Sequence, residues 1–164
     1  MAMQSPRDLL VYELQGIYDA EQRILQMLPV LAQETENAQT KQALQQHESE
    51  TRQQVTNLEQ CFQALGIQAK GVPCQAVAGL KQDHDNFLKE KPSPEVISLH
   101  NLVGAAKTEC YEIASYKGLI EMATVLGEKQ CVALLQQNLR QEEDMLKRVE
   151  QMAKQVSKQV AGQI

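Results

Sequence analysis

The sequence predicts an all-α fold built from four long helices and one short one. The chain has 164 residues, with 8 Gly and 5 Pro, so residues that break helices are scarce. It also contains 24 Gln, a residue that is compatible with helices. Apolar residues recur at intervals of three and four over four long segments, which is the spacing of one helix face. We expect a single domain covering residues 1–164, since one core can serve a chain of this length.

The N-terminal half predicts two helices, which we call A and B. Helix A is expected at about 7–33, because Ser5 can cap its first turn and Pro6 suits its first position. Pro29 lacks an amide donor and could bend this helix. Helix B is expected at about 39–65 and ends before Gly66, which suits a left-handed cap.

The C-terminal half predicts helix C at about 94–126 and helix D at about 129–160, with Gly127 between them. The long connection between B and C carries a further short helix at about 76–88. Short connections make antiparallel neighbours, whereas a long one can cross a bundle. Two helical hairpins joined by one long crossover predict a ferritin-like four-helix bundle.

The composition argues against two classes of partner. With 16 basic and 21 acidic residues, the formal net charge is -5, which disfavours nucleic acid as a ligand. Apolar runs of the roughly 18–20 residues that a membrane span needs are missing from the sequence, and the N-terminus does not have the pattern of a signal peptide. We therefore expect a cytoplasmic protein.

Cys74 lies in the long connection and is the cysteine most worth testing for reactivity.

Acidic residues interrupt the apolar stripes of the predicted helices. Glu21, Glu50, Glu109 and Glu142 each lie within roughly 4–5 Å of helix rise from the middle of their helix. Glu112 follows in helix C, and His47 lies on the stripe of helix B. Buried carboxylates are costly, so such a cluster must be protonated, paired with bases or neutralised by metal. Oxygen ligands with one nitrogen suit iron or manganese, which predicts up to two such ions at these six residues.

Each of these residues also has an ordinary structural interpretation. A single Glu on an apolar stripe is often a boundary residue that reaches water, and His47 alone could be a hydrogen-bonded core histidine. The usual ligand pattern of such bundles, Glu-x-x-His, is also incomplete, because Gln53 and Met145 stand where the histidines would be.

Several segments resemble the YciE/YciF family of bacterial ferritin-like proteins. They include Tyr18-Asp19-Ala20-Glu21-Gln22 and, most specifically, Glu109-Cys110-Tyr111-Glu112-Ile113-Ala114-Ser115-Tyr116. The resemblance implies a ferritin-like or rubrerythrin-like bundle, usually dimeric, which is associated with bacterial stress responses. It also implies that the inward acids of the family correspond to Glu21, Glu50, Glu109, Glu112 and Glu142. Leu146 and Arg52 depart from the family pattern and make metal affinity an open question.

Two functions remain open from the sequence. The first is a dinuclear iron or manganese site that carries out redox chemistry of peroxide or dioxygen, with His47 as its nitrogen ligand and the glutamates as carboxylate ligands. The second is a metal-free helical scaffold that binds a partner and retains the acids without a metal. A homodimer is expected in both cases.

Overall fold

The computed structural model describes residues 3–162 and forms five α-helices within them. They are α1 (Pro6–Glu34), α2 (Ala38–Ala64), α3 (Gln75–Lys89), α4 (Pro94–Val125) and α5 (Lys129–Ala161). No strand occurs in this part of the chain. The prediction of an all-α fold is confirmed, and each predicted helix end lies within one residue of the observed end.

Local chemistry explains where the helices begin and end. Ser5 and Asp8 form a reciprocal capping box, in which each side chain accepts a hydrogen bond from the backbone N–H of the other residue. Helix α1 continues through Pro29. Gly66 and Gly127 have φ angles of 71° and 76°, which favour glycine and allow the chain to leave α2 and α4 sharply.

The four long helices pack in a closed square. α1 packs on α2, α2 on α5, α5 on α4 and α4 on α1, so the two sequential hairpins lie side by side. α3 lies in the connection between the hairpins and packs on α1 and α4. This is the predicted ferritin-like bundle with a crossover helix. None of the described helices has the length and apolarity needed to cross a membrane.

Apolar side chains fill the core in two clusters. The larger includes Leu14, Leu58 and Leu135, and the smaller includes Leu102 and Met145. Along α4 and α5, buried acidic residues separate the parts of the helices that belong to these two clusters. The fold therefore places an acidic layer between two apolar ones.

The crossover is fixed to the bundle at the start of α3. The backbone N–H of Cys74 donates to Asp19 Oδ2 at 2.7 Å, and the Cys74 thiol lies 3.1 Å from the Tyr111 hydroxyl. The chain also passes close to α1 at Gly71, where a Cβ would lie 3.1 Å from Asp19 Cβ and Asp19 would have to shift by a few tenths of an ångström. Cys74 is buried by these contacts, whereas Cys110 is the exposed thiol of the four cysteines.

Candidate metal centre

Five potential ligands meet inside the bundle, and every long helix contributes at least one. Their positions follow from the spacing of three and four residues that also orients the apolar core inward. They are Glu21 on α1, His47 on α2, Glu109 and Glu112 on α4, and Glu142 on α5. The four glutamates are 0% exposed and His47 is 3% exposed. One donor atom from each of His47, Glu109, Glu112 and Glu142 lies within 4.8 Å of the others.

Neutral donors hold two of the four carboxylates. The Tyr116 hydroxyl donates to Glu21 Oε1, and the Gln54 side-chain amide donates to Glu142 Oε1. Asn138 Nδ2 donates in turn to the Tyr116 hydroxyl at 3.1 Å, which leaves the phenolic proton for Glu21. These contacts fix the orientation of the carboxylates on α1 and α5.

The two carboxyls of α4 have raised pKa values. Burial raises the pKa of Glu109 and of Glu112 well above the ordinary value, and the neighbouring carboxylates raise it further. Glu109 hydrogen bonds to Glu142, and Glu112 hydrogen bonds to Glu21. The centre therefore consists of two carboxyl pairs whose members all have raised pKa values, which favours protonated carboxyls when no cation is bound.

His47 provides a neutral nitrogen at the same level. Its Nδ1 lies 3.5 Å from Glu109 Oε1, and its Nε2 lies 4.0 Å from Glu142 Oε2. Burial, together with the charge of Arg148, lowers the pKa of His47 to about 4. The imidazole is thus uncharged near neutral pH, which is the form that binds metal ions.

The residues fit a divalent cation because their inward oxygens lack other partners. Within residues 3–162, no protein donor other than a neighbouring carboxyl reaches either oxygen of Glu109 or Glu112, and His47 Nε2 is also without a hydrogen bond. Buried polar atoms are usually satisfied, and an ion is one of the groups that satisfies them. Four carboxyls and one imidazole form a donor set that suits iron or manganese.

Glu50 is the predicted ligand that the structure does not bring into this group. Its side chain is 21% exposed, accepts from Gln46 Nε2 at 2.8 Å and lies 3.6 Å from Arg148 Nη1. A step of three residues from His47 turns the helix about 60° short of a full turn, which places Glu50 on the flank of α2. The expectation that Glu50 converges with the other acids is therefore wrong.

Three polar residues inside the bundle escaped the sequence reasoning. Gln54, Asn57 and Asn138 are buried, and Asn57 Nδ2 donates to Asn138 Oδ1 at 2.7 Å. A signal for two of them exists in the heptad spacing, because Gln54 lies seven residues after His47 and Asn138 lies four before Glu142. These positions continue the inward seam of α2 and α5.

Comparisons with known proteins identify the family. The family described as "Domain of unknown function (DUF892)" matches residues 5–162. Protein YciF from Escherichia coli strain K12 is 30% identical over 143 residues, which cover 87% of this chain and 86% of the relative. The chain belongs to this family. Its predicted membership of the YciE/YciF group is confirmed.

Solved structures of similar proteins agree with the fold. The crystal structure of the Escherichia coli stress protein YciF has a TM-score of 0.89 and 27% identity, and the match covers 95% of this chain and 99% of that one. YcfI from Rhodopseudomonas palustris has a TM-score of 0.87 and 35% identity, with coverage of 90% and 94%. A Xanthomonas campestris protein at 20% identity has a TM-score of 0.78 over 97% of this chain, and it supports the fold alone.

Proposed function

We propose that this DUF892 protein binds one or two iron or manganese ions at its acidic centre and uses them in redox chemistry of peroxide or dioxygen during bacterial stress. The ligands would be His47, Glu109, Glu112 and Glu142, with Glu21 beside them. The observation that carries the proposal is the pair of buried carboxyls, Glu109 and Glu112, whose oxygens lack donor partners other than their carboxyl neighbours. The stress role is supported by the relative YciF, which is described as a stress protein.

The surrounding residues prepare this site for a cation. Glu109 and Glu112 would release their protons on binding, since ligands coordinate in the deprotonated form. Tyr116 and Gln54 keep Glu21 and Glu142 oriented by donating to their other oxygens. A bound iron or manganese centre supplies one-electron and oxygen chemistry that protein side chains lack.

A metal-free scaffold is the second candidate function. It is favoured by the same two donors, because Gln54 and Tyr116 are uncharged groups that already satisfy one oxygen each on Glu142 and Glu21. The carboxyl pairs would then share protons permanently. A homodimer belongs to both candidates and stays a prediction.

Titration with metal distinguishes the two candidates. Protein purified without chelator and kept anaerobic is titrated with Mn²⁺ or Fe²⁺ in a calorimeter, and protons released are measured with a pH indicator. We expect one or two ions bound with proton release, and a gain of about 2.7 kcal/mol in the free energy of unfolding when free metal is 100 times Kd.

The matched variants are E109Q/E112Q and E50Q. The double variant keeps the shape of both side chains but removes two carboxyls that could ionise to bind a cation, so we expect it to lose binding. E50Q removes one charge outside the centre, so this variant should still bind the metal. If the unmodified protein binds neither ion, the metal proposal is overturned in favour of the scaffold.

A further inference from the structure

Two cysteines face each other at one end of the bundle, away from the acidic centre. Cys61 lies in the last turn of α2, and Cys131 lies in the first turn of α5. The Cys61 Sγ is 3.9 Å from the Cys131 carbonyl oxygen, and the Cys131 Sγ is 3.7 Å from the Cys61 carbonyl oxygen. The two thiols also hydrogen bond to each other. Each side chain is therefore directed at the other residue.

The pair belongs to the seam along which α2 and α5 pack. Asn57 on α2 donates to Asn138 on α5 at 2.7 Å, and Cys61 and Cys131 form a further contact of this seam toward the end of α2. Both cysteines are buried. The packing of two long helices, and not a mobile loop, therefore holds the thiols together.

The two helix ends make the thiols chemically different. The free N–H groups at the start of a helix stabilise an anion, whereas the free C=O groups at its end disfavour one. Cys131 lies at the favourable end, and its hydrogen bond with the Cys61 thiol lowers the pKa of the Cys131 thiol. The same hydrogen bond and burial raise the pKa of the Cys61 thiol well above its usual range. Cys131 is therefore the nucleophile of the pair, and Cys61 keeps its proton.

We propose that Cys61 and Cys131 form a redox modification site, at which hydrogen peroxide produces a reversible disulfide between α2 and α5. The Cys131 sulfur attacks one peroxide oxygen and the O–O bond breaks, which leaves a sulfenic acid on Cys131. The hydroxide released takes up the proton that Cys131 had lost and becomes water.

The second step closes the bridge. The Cys61 sulfur attacks the Cys131 sulfur, the S–O bond breaks, and the hydroxide leaves as water with the Cys61 proton. The two thiols lose two electrons in total, and these reduce one peroxide to two waters. Neither step uses the acidic centre or a metal, so the inference does not depend on the proposed function.

The position of the pair gives a small oxidant a way in. The end turns of helices open more readily than their middles. Arg7 bridges the two helix ends here, since its side chain contacts Glu128 at 3.0 Å and the Leu65 carbonyl oxygen at 2.8 Å. The Arg7 side chain is itself 46% exposed. Loss of this surface contact would admit a peroxide molecule without separating the helices.

A bridge at this end would join the first helical hairpin to the second. Its two cysteines are 70 residues apart in the chain, so the disulfide would restrict the unfolded state considerably. The bridged protein should therefore unfold at a higher urea concentration than the reduced protein. Dithiothreitol should reverse this shift.

Peroxide treatment of the folded, full-length chain tests the proposal. Metal-free protein in chelator is exposed to hydrogen peroxide, its remaining thiols are alkylated, and its unreduced peptides are identified by mass spectrometry. We expect a peptide pair linked through Cys61 and Cys131, a loss of two free thiols per chain, and recovery of both with dithiothreitol. Cys110 is the exposed thiol, so its oxidation reports that the peroxide has acted.

Single variants test the order of the two steps. C61A leaves the nucleophile without its partner, so dimedone, which traps sulfenic acids, should label Cys131. C131A leaves only the protonated thiol, so dimedone should not label Cys61. Circular dichroism checks that both variants are folded. The matched control is C74A, which removes another buried thiol and should leave the linked peptide unchanged.

Two results would contradict the proposal. If Cys110 were oxidised while Cys61 and Cys131 stayed reduced, or if their disulfide formed only in urea, the pair would not be a modification site of the folded protein. Equal labelling of Cys61 in C131A and of Cys131 in C61A would overturn the assignment of Cys131 as the nucleophile. The first result is obtained on the unmodified chain and does not require any variant to fold.

Discussion

The apolar clusters and the acidic centre are buried to the same extent, but they differ in how their atoms are satisfied. Leu58 and Leu135 are 0% exposed, and so are Glu109 and Glu112. Burying leucine side chains stabilises the fold in every condition, because apolar surface leaves water. Burying carboxyls stabilises nothing until protons or a cation neutralise them. The bundle therefore derives its stability from the apolar clusters and maintains a costly centre within them.

The largest expected effect tests the apolar side of this comparison. L58A removes a fully buried side chain from α2 and leaves a cavity, so we expect a loss of about 2–5 kcal/mol in the free energy of unfolding. Urea denaturation followed by circular dichroism measures it. The matched control is L9A, whose side chain is 42% exposed and should cost little. A loss below 1 kcal/mol for L58A would mean that this cluster does not support the fold.

The second largest effect is expected when the Tyr116 hydroxyl, which donates to Glu21, is removed. Y116F leaves Glu21 Oε1 without its donor and removes a partner of Asn138, so we expect a cost of about 1–3 kcal/mol. Chemical denaturation of chelator-treated protein measures it. Y12F changes a tyrosine that is 45% exposed and should have no measurable effect. Equal stability of the two variants would show that the hydroxyl does not support the centre.

The pH dependence of the stability of metal-free protein tests the acidic side of the comparison. Burial raises the pKa of all four carboxyls of the centre, Glu21, Glu109, Glu112 and Glu142, above that of the unfolded chain, so the stability that they contribute is present at low pH and lost as the pH rises. His47 acts in the opposite direction below about pH 6.5, because its pKa is lowered to about 4. Four carboxyls with raised pKa values outweigh one imidazole.

We therefore expect metal-free protein to become more stable as the pH falls from 7 to 5, by at most about 1.4 kcal/mol per pH unit for each carboxyl. Thermal melts in chelator at several pH values measure this. E112Q removes one of the groups and should flatten the slope, which isolates the centre from the surface acids. With saturating Mn²⁺, the slope should reverse, since the ligands must then be deprotonated. A metal-free slope of the opposite sign would exclude protonated carboxyls in the centre.

The helices could be predicted from the sequence because their signals are local. Ser5, Gly66 and Gly127 determine where helices begin or end through backbone chemistry that depends on few neighbours. The connection lengths then limited the possible topologies, because two hairpins joined by one crossover can be arranged in few ways. The packing partners of α3 were not predictable, since they depend on which face of the bundle the crossover follows.

The centre was predictable only in part, because an inward position depends on a small rotation around the helix. Glu21, Glu109, Glu112 and Glu142 lie well inside their apolar stripes, and the structure brings them together. Gln54 could not be selected in the same way, because the chain has 24 Gln and most helical stretches present several of them to solvent. A neutral amide carries no charge penalty on burial that would mark it in advance.

Replacing Glu50 is expected to have the smallest effect, and it tests where the acidic centre ends. Its carboxylate interacts with Gln46 and Arg148 at the edge of the bundle, and its charge reaches Glu142 only at a distance. E50Q should therefore change the free energy of unfolding by less than about 0.5 kcal/mol. Urea denaturation measures the free energy of unfolding of E50Q. Titration with Mn²⁺ compares the metal affinity of E50Q with that of E112Q. E112Q removes a fully buried carboxyl that would ionise to bind the cation, so it should weaken Mn²⁺ binding strongly. E50Q should alter the affinity by less than about threefold, because partly exposed charges are screened. If the two variants weakened binding equally, Glu50 would have to move toward the cation when it binds, and the centre would extend to the flank of α2.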